Sequence, residues 1–245
     1  MAEIIGGDPA FRDDDGTEDP AVAAVLRAYA VGTQSEQAVL RALSASRLLV
    51  PVVAVLTETA DGGAPGVGGR AAGRSEKSSE MAMPTLIGQD GRSAIPAFTS
   101  ADSMRRWQAD ARPVPVAAPS VWQSAVAESS AVVVDVAGPV PFAVEGARLA
   151  ALARGEAAPP PEADPDVREA VAAALAAVPG IEGCDLLPGN AECDLVIGLL
   201  LTAEGAAGDV AALAGRAGDA VLTALGGRLR RGVAIGLQPA PASGE

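Results

Sequence analysis

The chain has 245 residues, 49% of them hydrophobic but only 2% aromatic, with a formal net charge of −13. That suffices for one large or two small cores built from Ala, Val and Leu, while the negative field excludes phosphate backbones and anionic lipid from the expected partners. No histidine occurs, which excludes Ser-His-Asp and Cys-His nucleophiles and histidine-bound metals.

Residues 1–18 carry too little apolar material to bury and are expected to form a mobile acidic tail. Their sequence lacks the basic start and apolar run of a secretory signal, so the expected location is cytoplasmic, with Cys184 and Cys193 as reduced thiols. Asp19 and Pro20 predict a helix start, followed by Val22, Val25, Leu26 and Tyr29 at helical spacing. Thr33 with Glu36 predicts a capping box for a second helix bearing Val39, Leu40 and Leu43. A strand follows in "RLLVPVVAVLTE", and residues 57–79, rich in Gly, Ala and Ser, read as a flexible insertion.

Next, "MAMPTLIG" and "SAIPAFT" predict an antiparallel hairpin around Asp90 and Gly91, with Pro84 and Pro96 confined to positions that need no ladder donor. Thr99 or Ser100 starts a short helix ending near Trp107, "ARPVPV" runs extended, and Pro119 opens a helix with Val121, Trp122, Ala125 and Val126 on one face. The strands "SAVVVDVAG" and "VPFAV" precede a helix closed by Gly155. A first domain over 19–156 thus meets a semi-rigid linker, "EAAPPPEADP", centred on 157–165. In a second domain, 166–239, a helix with Val167, Val171, Ala174, Leu175 and Val178 leads to a hairpin around "PGNAE". A longer helix from Val210 to Leu225 and a last strand, "GVAIGLQ", complete it, and 240–245 is a tail. The expected fold class is α+β, two small mixed domains, the second resembling a split βαβ, ferredoxin-like half without its first strand.

Few motifs carry chemistry. "GGRAAGRS" over 68–75 matches a phosphate loop apart from Arg74, and "VVVD" ending at Asp135 resembles a magnesium-binding strand end. The required tight strand-to-helix turn is missing, so the linker reading prevails. Lys77 lies among polar neighbours and reads as a solvated lysine, not a Schiff-base nucleophile. Arg228, Arg230 and Arg231 fall where a helix should end, and complement its dipole. Cys184 and Cys193 flank the second hairpin turn and read as ordinary strand cysteines. Trp107 and Trp122 read as core residues before recognition anchors, and Arg112 as a structural bridge.

Taken in order, "LLVPVVAVLTE", "KSSEMAMPTLIGQDGRSAIPAFTS", "MRRWQADARPVPV" and "VVVDVAGP" resemble the SseB family of actinomycetes over residues 20–155, with 166–238 similar to the carboxyl-terminal domain of the same group. Glu80, where an aspartate is expected, and Pro84, in place of a larger apolar residue, are departures that bear on local strand geometry. The resemblance implies no catalytic residue and no cofactor. The leading expectation is a non-catalytic protein-interaction or adaptor module, with no nucleic-acid or membrane partner and no metal. Its candidate contact residues are Asp90, Gly91, Arg92, Trp107 and Arg112. A small-ligand sensor, using the groove beside "DGRSAIPAFTS" and "ARPVPV", is the alternative; an enzyme working with carboxylates, lysine or tyrosine is the third.

Overall fold

Helix α1 (Pro20–Ala30) begins as the sequence predicts: Asp19 accepts the Ala21 N–H at 2.7 Å, and Pro20 fills the first turn, where a missing donor costs nothing. The structure, a computed structural model, describes residues 9–57, 78–89, 91–226 and 228–237. Helix α2 (Glu36–Ser44) is capped by Ser35, so the box expected between Thr33 and Glu36 does not form; the Thr33 hydroxyl donates to the Ala28 carbonyl instead. Glu36 therefore takes the first helical position and is turned inward.

Strand β1 (Arg47–Thr57) pairs antiparallel with β2 (Ser78–Ala82) on one side and β5 (Arg112–Ala117) on the other. The single strand expected over "MAMPTLIG" is broken. Strand β2 ends at Ala82, Pro84 removes a ladder donor, and β3 (Leu86–Ile87) resumes in a different sheet. There β3 and β4 (Ser93–Ala97) form the expected hairpin, though only Leu86 with Ala94 and Ile87 with Ser93 are paired. Gly88 donates to the Arg92 carbonyl at 2.8 Å, and Gly91 takes φ +80°, open to a glycine at little cost. Asp90 lies outside the described residues.

Ser100 caps α3 (Ala101–Trp107); α4 (Ala118–Ala127), β6 (Ala131–Val134), β7 (Phe142–Val144) and α5 (Gly146–Ala153) follow. The second sheet runs β3-β4-β6-β7, with β4 and β6 parallel. Mutual 2.8 Å hydrogen bonds between Leu49 and Phe98 tie it to the first sheet. Strand alternation splits the second sheet's side chains cleanly. Ile95, Ala97, Val132, Val134, Phe142 and Val144 join the main core with the buried sides of α1, α2, α4 and α5. Phe98, Leu49, Met104 and Ala111 form a smaller cluster.

The carboxyl-terminal region has its own core. Helix α6 (Pro165–Ala176), strands β8 (Ile181–Pro188) and β9 (Leu195–Leu201), helices α7 (Ala203–Ala207) and α8 (Val210–Leu225), and β10 (Val233–Leu237) build a three-stranded sheet of order β10-β9-β8. The molecule is α+β. Strand β10 pairs directly and in parallel with β9. Cys184 stands opposite Leu199 and Cys193 lies beyond β8 in the turn; both are free thiols, and burial raises the Cys184 pKa.

Two segments are more ordered than their composition suggests. Residues 14–17 are docked, not mobile: Arg47 pairs with Asp14 at 2.7 Å and with the Thr17 carbonyl, and the Gly16 carbonyl accepts from Ala101 at 2.8 Å. The 157–165 stretch also packs, with Ala158 and Asp164 buried and Gln37 donating to the Pro159 carbonyl, because its carbonyls and acids find donors on α2 and beyond. The 57–79 insertion, with the phosphate-loop look-alike and Lys77, falls almost entirely outside the described residues. No described helix is long and apolar enough to cross a membrane.

Candidate functional site

Three places concentrate unusual chemistry. The first is the outer face of the β3-β4-β6-β7 sheet. Because Ile95 and Val132 point to the core, their neighbours Ala94, Ala131 and Val133 point outward, with Ala143 and Leu86 beside them. They floor a groove of about 1070 Å³ rimmed by Val126 at the end of α4, by Leu149 and Ala150 of α5, and by the hairpin residues Ile87, Gly91 and Arg92. Ile87 is 68% exposed and Val126 45%. Polar groups sit at its rim: Gln89 and Ser129 line it, Ser93 and Ser130 bond each other at 2.7 Å, and Arg92 pairs with Glu145 at 2.5 Å.

A polar cleft of about 540 Å³ forms the second place, where the parallel strands β4 and β6 end. Its floor is Asp135, buried and held at φ +51°, a backbone region that aspartate tolerates better than most residues. The carboxylate accepts from the Thr99 N–H at 3.0 Å, the Thr99 hydroxyl at 2.6 Å and the Ser103 hydroxyl at 2.5 Å. Gly138 closes the turn by donating to the Asp135 carbonyl at 2.7 Å, and a Cβ there would strike Asp135. The docked Asp15–Glu18 stretch forms one wall; Arg105 and Arg106 stand on another.

The third is the seam between the amino- and carboxyl-terminal regions. Glu36 accepts from Arg148 of α5 and, at 3.1 Å, from Arg228, which follows α8; Arg228 also holds Asp164. Glu36, Arg148 and Asp164 are each no more than 5% exposed. Arg148 is the third residue of its helix, the wrong end for a cation, so Glu36 supplies the countercharge. Burial pulls the Arg148 pKa down against the pull of Glu36. At Arg228 burial acts the same way, but Glu36 and Asp164 together outweigh it and the pKa is raised. Arg148 Nε is the buried side-chain polar atom left without a hydrogen-bond partner among the described residues. The Tyr29 hydroxyl donates to the Arg228 carbonyl at 2.9 Å, and burial with nearby Glu36 raises the Tyr29 pKa. The helix-dipole role expected of Arg228 is thus replaced by a buried ionic one: α8 ends at Leu225, and the chain carries Arg228 back to α2.

The expected contact residues do not converge. Gly91 and Arg92 border the groove. Trp107 packs on Phe98, ring centroids 5.6 Å apart, in the small core. Arg112 starts β5, exposed and opposite Val52. Trp122 is fully buried and donates to the Ser44 carbonyl at 3.3 Å. Glu36, Arg148, Asp164 and Arg228 escaped sequence reasoning because they lie far apart in the chain; an arginine in the first turn of a helix was the available signal. Among the described residues no cluster of three or more acidic or cysteine side chains is placed to hold a metal.

No curated protein and no solved structure matches the chain. The family model described as SseB protein N-terminal domain matches residues 22–151. Those residues run from α1 into α5 and include the β3-β4-β6-β7 sheet, on whose outer face the groove lies and at whose strand ends the cleft opens. With more than half of its 245 residues matched, the chain belongs to the SseB family.

Proposed function

We propose that the protein is a non-catalytic, cytoplasmic interaction module that takes a segment of a partner protein in the groove over the β3-β4-β6-β7 sheet. The observation carrying this reading is that one face of that sheet lies under helices while the other offers a contiguous apolar floor to solvent. Sheets bury their apolar faces, and a concave apolar face that no helix covers is where a partner segment can be seated. Small side chains, Ala94, Ala131 and Ala143, keep the floor low and leave room for an extended or helical segment. The test immobilises the wild-type chain beside Val133→Asp, which adds a charge to the outward face only. Partner capture from the native host should be lost in the variant at unchanged Tm; equal capture by both sinks the reading.

A small-ligand sensor has a specific observation in its favour, the polar cleft with Thr99, Ser100, Ser103 and Asp135 on its floor and Arg106 beside it. A metabolite that raises Tm in the wild type but not in Arg106→Ala would favour it. An enzyme working through carboxylates has weaker support, because the buried carboxylate of the cleft already accepts three hydrogen bonds.

A further inference from the structure

The groove does not stop at its hairpin end. Arg92, Glu145 and Gly146 line both the groove and a second cavity of about 330 Å³ in the seam, whose walls also carry Arg148 and Arg228. An apolar floor therefore runs into a chamber bearing three guanidinium groups. Most of the acids around it are committed. Glu36 and Asp164 hold Arg148 and Arg228, and the Asp166 carboxylate caps α5 by accepting from the Ala147 N–H at 2.8 Å. Glu145 is the exception. Its bridge to Arg92 lies at the surface, with side chains 39% and 68% exposed, and such pairs contribute little. Behind it, Arg148 keeps its Nε without a partner although the side chain is 5% exposed. A buried guanidinium nitrogen without an acceptor marks a place where an acceptor is worth more than in water.

We infer that the segment taken by the groove combines apolar side chains, laid on the sheet face, with a carboxylate at the seam end that displaces Glu145 from Arg92. This rests on the interaction reading above and adds the partner's chemistry to it. A carboxylate is the group that fits, because guanidinium binds it through paired, charge-assisted hydrogen bonds and because one carboxylate, Glu145, already occupies the position. The exchange conserves charge at Arg92: one carboxylate leaves for solvent as another arrives. A chain with a net charge of −13 would otherwise repel an acidic segment, so Arg92, whose pairing with Glu145 is exchangeable, decides where such a segment is accepted, while Arg148 and Arg228 stay with Glu36 and Asp164.

The test selects peptides from a phage-displayed random dodecapeptide library on the full chain. The strongest binder is then synthesised with a free carboxyl terminus, with an amidated one, and with each Asp or Glu changed to Asn or Gln. Anisotropy titrations compare the wild type with Val133→Asp, Arg92→Gln and Glu145→Gln. The selected peptides should carry an apolar run next to an acid or a free terminus. Arg92→Gln should weaken binding about tenfold, and Glu145→Gln, which removes the competitor, should tighten it about two- to fivefold. Loss on amidation assigns the carboxylate to a chain terminus, and loss on a side-chain change assigns it to an internal acid. If Val133→Asp abolishes binding while the Arg92 and Glu145 variants and the neutralised peptides bind unchanged, the inference fails and the groove reading survives. A library that yields no binder dependent on Val133, or one dominated by basic peptides, overturns both.

Discussion

Two buried carboxylates, Glu36 and Asp135, are accommodated in opposite ways. Asp135 is served by neutral donors from one neighbouring loop and helix start, Thr99 and Ser103, at 2.5–3.0 Å, so the strand end β6 and the start of α3 form a local clamp. Glu36 is served by charges delivered from α5 and from beyond α8, with Asp164 completing the set. Neutral donors close at hand make a carboxylate part of a fold's local geometry. Charged partners brought from distant segments make it part of the association between two regions, at a desolvation cost that only intact pairing offsets.

Breaking the seam should have the largest effect. Arg148→Ala leaves Glu36 buried with one cation fewer and should destabilise the chain by about 3–5 kcal/mol in urea denaturation. Adding Glu36→Gln to it should recover part of that loss, and a double variant no more stable than the single one would mean that packing, not charge, holds the seam.

At the clamp the loss should be smaller. Asp135→Ala removes a hydrogen-bonded carboxylate but leaves hydroxyls able to turn elsewhere, for about 1.5–3 kcal/mol. Asp135→Asn, which keeps an acceptor and tolerates the left-handed backbone, should lose less than Asp135→Ala. Equal losses would show that charge outweighs geometry there, as at Glu36.

Tyr29 reports on the seam through pH. Its raised pKa means that the unfolded chain ionises first, so the stabilisation is complete below the unfolded tyrosine value of about 10 and declines as pH rises beyond it. Tyr29→Phe should lose about 1 kcal/mol at neutral pH with its bond to the Arg228 carbonyl, and should show a shallower alkaline decline. An unchanged alkaline limb would exclude Tyr29 as its source.

The smallest effect belongs to the groove lip. Arg92→Glu should change stability by less than about 1 kcal/mol, since its pair with Glu145 lies at the surface. A larger loss would place that bridge with the seam, as a structural element instead of an exchangeable one.

Much of this architecture was legible in local sequence. Asp19 with Pro20, Ser100, the Asp90–Gly91 turn signal and the short apolar run "AVVV" act over a few residues, through capping, backbone freedom and strand burial, and the elements they predict are present wherever the chain is described. The Asp135 clamp was half visible, because the turn from Asp135 to Gly138 is local while its Thr99 and Ser103 donors arrive through the pairing of β4 with β6. Local rules misread Glu36 as half of a capping box, Arg228 as a dipole partner and the 157–165 stretch as a tether. In each case a contact more than a hundred residues away in sequence, to Arg148, to Glu36 or from Gln37, competes with the local one. The sequence by itself determined most of the longer elements and which faces of them are apolar. Tertiary structure alone decided which sheet face stays uncovered and which charges meet in the seam, since helix and strand periods specify a face but not the element that covers it.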